Sequence, residues 1–177
     1  MPGPMHVEQA MHDDAVRVME TISHCIRHMQ ENGVFQWDAL YPDLQVIRED
    51  IHIGSLFVIR QDGFCVASVT LNDSQPEEYG SVKWNCAGGR ALVVHRLCVH
   101  PHWQGRGLAR HLMHFTEIFA TDRGFSCIRL DAYTGNRHAV ALYERLGYCT
   151  AGELFFPRRE LTFACFEKAL LASSSPP

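Results

Sequence analysis

The sequence predicts a mixed α/β domain of the α+β kind, built around one sheet, and three observations carry this. The middle of the chain is rich in β-forming runs, two of which, within "LFVIRQDGFCVASVTLN" (56–72), flank the turn pair Asp62-Gly63. Strand-like runs at 91–99 and 126–133 are each followed by a helical pattern, so 91–133 predicts a right-handed parallel crossover. A length of 177 residues, 46% hydrophobic and 20% charged, suits one domain with a sizeable core. We expect that domain over 1–172 and a disordered tail, "SSSPP", over 173–177.

The elements follow in order. Residues 13–31 put Ala15, Val18, Met19, Ile22, Ile26 and Met29 on one helical face, with Asp13 or Asp14 to cap the start and Gly33 to stop it. An aromatic connector, 35–43, leads to a short helix ending near Ile51. After the hairpin comes a polar loop, then a predicted strand at 79–84, then the loop 86–90 that feeds the apolar strand 91–99. The next helix puts Leu108, Leu112, Phe115 and Phe119 on one face and ends at Gly124. The run 126–133 alternates as a strand, and Asn136 caps a short helix that stops at Gly147. Strands at 148–156 and 161–167 close the domain.

Composition narrows the function. A net charge of −4 gives no support to a nucleic-acid binder, and no apolar run approaches the ~20 residues of a membrane span. The N-terminus lacks the layout of a secretory signal. Seven scattered cysteines, an odd number with no Cys-x-x-Cys, read as reduced thiols in a cytoplasmic protein. Eleven histidines include the helical pair His24 and His28 and the group His95, His100 and His102. None of these gives the three or four convergent ligands of a zinc site, and no metal is expected.

The chemistry concentrates in "HPHWQGRGLARHLMH" (100–114), where Gly105 and Gly107 flank Arg106 between a strand and a helix. Glycines at such a junction let backbone N–H groups approach an anion at the positive end of the helix. A Walker loop is excluded, because no Gly-Lys-Ser/Thr follows. A dinucleotide fingerprint matches at Gly105 and Gly107 but meets Arg110 at its third glycine, while Asp131 lies close to where a ribose-binding acid would stand. Against that reading, "HPHWQ" separates the strand from the glycines, and the further strand–helix repeats of a doubly wound fold are absent.

"QGRGLA" (104–109) fits Gln/Arg-x-x-Gly-x-Gly/Ala. With the preceding "LCVHP" it resembles the coenzyme A pyrophosphate loop of the GNAT superfamily of N-acetyltransferases. "NRHAVALYERLGY" (136–148) resembles that superfamily's second signature, Asn-x-x-Ala-x-x-Leu-Tyr-Glu-x-x-Gly-Phe/Tyr. The pair, in this order of strands and helices, is far more specific than either alone, and the resemblance spans nearly the whole chain. It implies the GNAT fold, a single mostly antiparallel mixed sheet with a central parallel strand pair flanked by helices.

The resemblance also implies an acyltransferase that moves an acetyl group from acetyl-CoA to a primary amine of a small molecule by direct attack. The cofactor would meet Leu97, Cys98 and Val99 along the strand, with main-chain contacts at Leu97 and Val99. It would meet Gln104, Gly105, Arg106, Gly107, Leu108 and Ala109 in the loop, and Asn136 and Tyr143 downstream. A strand N–H would serve as oxyanion donor, a contribution of ~3 kcal/mol when well placed. Tyr143 would protonate the departing thiolate; a phenol near pKa ~10 holds its proton at neutral pH while a thiol sits near ~8.5. In the serotonin N-acetyltransferase branch a histidine stands at the place of His95, with a second two residues earlier where this chain has Val93. His95, expected on the same strand face as Leu97, is the candidate base; the alternative is a hydrogen bond within the sheet. The acceptor wall would draw on Trp37, Tyr41 and Phe155. Two other functions stay open, acetylation of a protein N-terminus or lysine and a non-catalytic coenzyme A-binding module. A homodimer is one assembly open to the chain.

Overall fold

The computed structural model describes residues 5–86 and 88–171, so the expected tail at 173–177 lies outside the described residues. Its strands are β1 (Val7–Gln9), β2 (Leu56–Gln61), β3 (Phe64–Asn72), β4 (Ala91–Val99), β5 (Cys127–Tyr133), β6 (Cys149–Leu154) and β7 (Phe163–Ala169). The helices are α1 (Ala15–Glu31), α2 (Leu44–His52), α3 (Leu108–Asp122) and α4 (Arg137–Arg145). Hydrogen bonding orders the strands β1-β2-β3-β4-β5-β7-β6 in one seven-stranded sheet. β4 and β5 are parallel, while β1-β2, β2-β3, β5-β7 and β6-β7 are antiparallel. This is the mixed, mostly antiparallel sheet with one parallel pair that the sequence implied.

Two compact units make up the chain. Among the described residues, one comprises 5–71 and 95–113, the other 72–94 and 114–171. In the first, Val18, Ile22 and Cys25 of α1 pack with Ile47 of α2 and with Leu56 and Val58 of β2. Full burial of each such aliphatic side chain is worth roughly 1.5–3 kcal/mol. The hairpin turns at Asp62 and Gly63, whose φ values of 50° and 81° match the twist of the flanking strands. Asp14 stands before α1, but its carboxylate does not cap the helix. It accepts from Met11 N and pairs with Arg60, leaving the first turn to a short 3-10 segment at His12–Asp14.

In the second unit β5 lies beside both β4 and β7, and Ile128, Leu130 and Phe166 are fully buried there. The strand expected at 79–84 is absent. Glu77–Ser81 is a 3-10 turn instead. Local bonds from Tyr79 N to Pro76 O and from Val82 N to Tyr79 O take up the backbone, and the Tyr79 ring turns inward, 2% exposed. A third departure from the expected order is β1, three residues with no periodic signature, which adds to the edge of β2.

Candidate active site

In the first unit, β4 is interrupted at Arg96, whose φ of 49° lies in the left-handed region. A non-glycine residue held there costs about 1–2 kcal/mol. It interrupts the regular strand geometry on either side of which His95 and Leu97 stand; both are half-buried. Arg96 is fixed by Asp50 of α2 and by the Tyr41 hydroxyl, which accepts from Nη1 at 2.8 Å. Cys98 is buried with its Sγ 3.3 Å from Ser68 Oγ. The Val99 carbonyl accepts twice, from Gln104 Nε2 at 3.1 Å and Cys25 Sγ at 3.2 Å, which uses both its lone pairs.

After β4 a short 3-10 turn, Pro101–Trp103, leads into the glycine loop. Gly105 and Gly107 have φ of 73° and 81°, and a Cβ built on either would meet nothing within 4 Å. The loop is therefore left-handed for its backbone course and open on the side a side chain would fill. Gln104, Gly105, Arg106 and Gly107 are exposed, Ala109 is half-buried, and Leu108 is buried. Gly107 O accepts the first α3 bond, from His111 N at 2.9 Å, so α3 begins with N–H groups that have no acceptor inside the helix. An open left-handed loop ending in a helix N-terminus fits a pyrophosphate. The Arg106 guanidinium stacks over Trp103, 4.6 Å from the ring centre.

In the second unit, Asn136 caps α4 by accepting from Ala139 N at 3.2 Å. Two turns after the cap, Tyr143 is buried, 7% exposed, with its ring against Tyr148 and Phe166. Its hydroxyl has no hydrogen-bond partner among the described residues. No buried side-chain oxygen among them is unpaired, so the hydroxyl must reach solvent. Burial, and then the charge of Asp131, hold its proton more tightly than an ordinary phenol's.

The model of the acetyltransferase (GNAT) family matches residues 20–148, the span that contains this loop and Tyr143. The chain belongs to the GNAT acetyltransferase family. It is thus an acyltransferase, and the family's donor is acetyl-CoA. Among solved structures it is similar to a GNAT acetyltransferase from Streptococcus agalactiae, with 21% identity and a TM-score of 0.80 over 96% of this chain and 97% of that one. A GNAT acetyltransferase from Listeria monocytogenes is also 21% identical, with a TM-score of 0.75 over 96% and 98% of the two chains. The yncA protein of Salmonella typhimurium, solved with its cofactor acetyl-CoA, is 16% identical with a TM-score of 0.72 over 99% of each chain. At such identities the likeness is one of fold.

In this GNAT chain the residues expected in the acceptor wall lie at different depths. Trp37 packs partly buried against the core of the first unit, and Tyr41 is 37% exposed. In the second unit Phe155 is 55% exposed, whereas its neighbour Phe156 packs edge-on against Phe163. The histidine rings meet at steep angles, with centres 4.8 Å apart for His24 and His100 and 5.3 Å for His100 and His102. Burial, followed by those two neighbours, lowers the His100 pKa. Cys86, Cys127 and Glu167 bring ligand-capable atoms within 4.8 Å of one another. Glu167 is already held by Arg129 and by the N–H groups of Asn85 and Cys86.

Sequence reasoning missed the network on one face of β5. Tyr79 donates to Asp131 Oδ2 at 2.7 Å, and Trp84 Nε1 donates to Tyr79 O at 3.0 Å. Arg129, two residues before Asp131, stacks on Trp84 and pairs with Glu167. The available signal was a carboxylate set between Leu130 and Ala132 in a strand whose one other charged residue is Arg129; its partner, 52 residues earlier, left none.

Proposed function

We propose that this acetyltransferase moves the acetyl group of acetyl-CoA to a primary amine of a small molecule by direct attack, with Tyr143 as the acid that protonates the leaving thiolate. The observation that carries it is the Tyr143 hydroxyl, solvent-reaching and without a protein partner on a ring otherwise buried. A hydroxyl in a structural role would be expected to bond to the protein.

Gln104, Gly105, Arg106, Gly107, Leu108 and Ala109 hold the pyrophosphate through loop and helix N–H groups, with Arg106 adding a screened positive charge. Main-chain groups at Leu97, Cys98 and Val99 hold the pantetheine. Since the Val99 carbonyl is already used twice, its contact falls to the N–H. Asn136 supports the cofactor while capping α4. Acetyl-CoA supplies a thioester carbonyl activated toward amines, and a β4 N–H acts as oxyanion donor. His95 is the imidazole on β4 that this reading offers for the amine's proton. Trp37, Tyr41 and Phe155 form the acceptor wall, with Phe155 the most exposed of the three. We place the protein in the cytoplasm, in keeping with seven free thiols; a homodimer stays compatible with it.

The test is thiol release from acetyl-CoA across polyamines, amino acids, aminoglycosides, arylalkylamines and short peptides. Turnover on a small amine supports the reading. Turnover confined to peptides replaces the acceptor class. Binding of acetyl-CoA with no turnover on any amine overturns the reading in favour of a coenzyme A-binding module.

A further inference from the structure

We infer that Asp131, held through one carboxylate oxygen by Tyr79, is the group that takes the proton from the incoming ammonium. The inference rests on the amine-acetylation reading above and assigns to β5 the step for which His95 was the candidate.

Three features of the second unit support it. First, Tyr79 is the only hydrogen-bond donor to the Asp131 carboxylate among the described residues, and it engages Oδ2 alone. With no buried side-chain oxygen left unpaired among them, Oδ1 is open to solvent. Asp131 itself is half-buried. Secondly, its surroundings suit a base. Burial, with the charge of Glu78, pushes its carboxyl from 3.8 up to about 6, and the Tyr79 hydrogen bond opposes that rise. At neutral pH it is still mainly ionised, and a rise of roughly two units brings proton transfer from an amine about a hundredfold closer to balance. Thirdly, it is coupled to the proposed acid, because the Asp131 charge helps to hold the proton on Tyr143. The groups that face Asp131 are Tyr79 and Glu78 from the 3-10 turn, Tyr143 from α4 and Cys165 from β7.

The protons then balance. The ammonium gives one proton to Asp131 Oδ1, which keeps it until the thiolate has been protonated and then passes it to solvent. The neutral amine attacks, the N–C bond forms and the C–S bond breaks, and Tyr143 protonates the sulfur. The second amine proton restores Tyr143 by way of solvent. Once Asp131 is protonated, the charge that strengthened Tyr143's hold on its proton is gone. The base step therefore makes the acid step easier. Tyr79 is a positioning residue that keeps the carboxylate ionised.

The experiment compares wild type, Asp131→Asn and Tyr79→Phe. It uses the panel amine that wild type turns over fastest and its β,β-difluoro analogue, whose amine is far less basic. Carbon-13 NMR titration of the carboxyl groups is run alongside, with Asp131→Asn assigning the Asp131 signal. Asp131→Asn should lower kcat/KM for the basic amine by about 10²–10⁴ and for the fluorinated one by less than about tenfold. Tyr79→Phe should keep activity at high pH and move the acidic limb of the kcat/KM profile upward. The Asp131 carboxyl should titrate near 6. Equal losses on both amines, an unmoved limb, or titration near 3.8 would overturn the assignment while leaving the acetyltransferase reading intact. No wild-type turnover on any amine would overturn that reading and this inference with it.

Discussion

Arg96 and Asp50 form a buried forked pair, with Arg96 Nη2 at 2.7 Å from Oδ1 and 2.6 Å from Oδ2, and Nε 3.0 Å from Oδ2. Thr70 Oγ1 adds a bond of 2.9 Å to the same carboxylate. The pair ties α2 to the point where β4 takes a left-handed residue, so an ion pair holds a backbone that arginine alone would not favour. The interruption occurs one residue before Leu97, where the proposed pantetheine contacts begin.

Removing the acid should therefore cost more than a surface charge would. We expect Asp50→Ala to destabilise the protein by roughly 3–5 kcal/mol, the usual effect of leaving one member of a buried pair alone. Arg96→Gly should be more stable than Arg96→Ala by about 1 kcal/mol, the reverse of the usual strand preference, since glycine accepts the left-handed φ. Denaturant melts of the three variants check both orderings.

The glycine loop makes the opposite kind of prediction. Gly107→Glu meets no protein atom within 4 Å at its Cβ, so apart from a φ penalty of about 1–2 kcal/mol the fold should survive. Acetyl-CoA binding should be lost, because bulk and negative charge enter the space assigned to the pyrophosphate. Calorimetric titration beside a thermal melt separates the two effects.

Acid stability should follow two carboxyls of opposite sign. Burial alone would raise Asp14, but Arg60 and the Met11 N–H outweigh it and hold it below 3.8. Its stabilisation is present above about pH 3.8 and is lost as pH falls through the lower folded value. Asp131, raised to about 6, binds a proton in the folded state that the unfolded chain has released, so stability rises as pH falls from 7 toward about 4. Asp131→Asn should flatten that rise and lift Tm at pH 7, by about 2–4 °C for each kcal/mol gained. Melts across pH 3–8, on the scale of ~1 unit steps, check the sign of each.

Much of this was legible in the sequence because it is local. The hairpin followed from Asp62-Gly63, the α4 cap from Asn136, and the loop from two glycines before a helical pattern; each is decided by a few adjacent residues. The hidden parts depend on distant partners. Tyr79 lies in a segment that reads as a strand, and only the bond to Asp131 and the local 3-10 bonds make it a turn. Arg96 looks like any residue of an alternating strand until Asp50 and Tyr41 are seen to hold it. Asp14 sits where a cap should, and a cation 46 residues away takes its carboxylate.

The role of Tyr143 is tested by Tyr143→Phe, measured for kcat on the best amine of the panel and for acetyl-CoA affinity by calorimetry. An acid at Tyr143 requires a fall in kcat of about 10²–10⁴ with the acetyl-CoA Kd nearly unchanged, because one proton donor is lost and the cofactor loop is untouched. An unchanged kcat would remove Tyr143 as the acid and contradict the proposed mechanism.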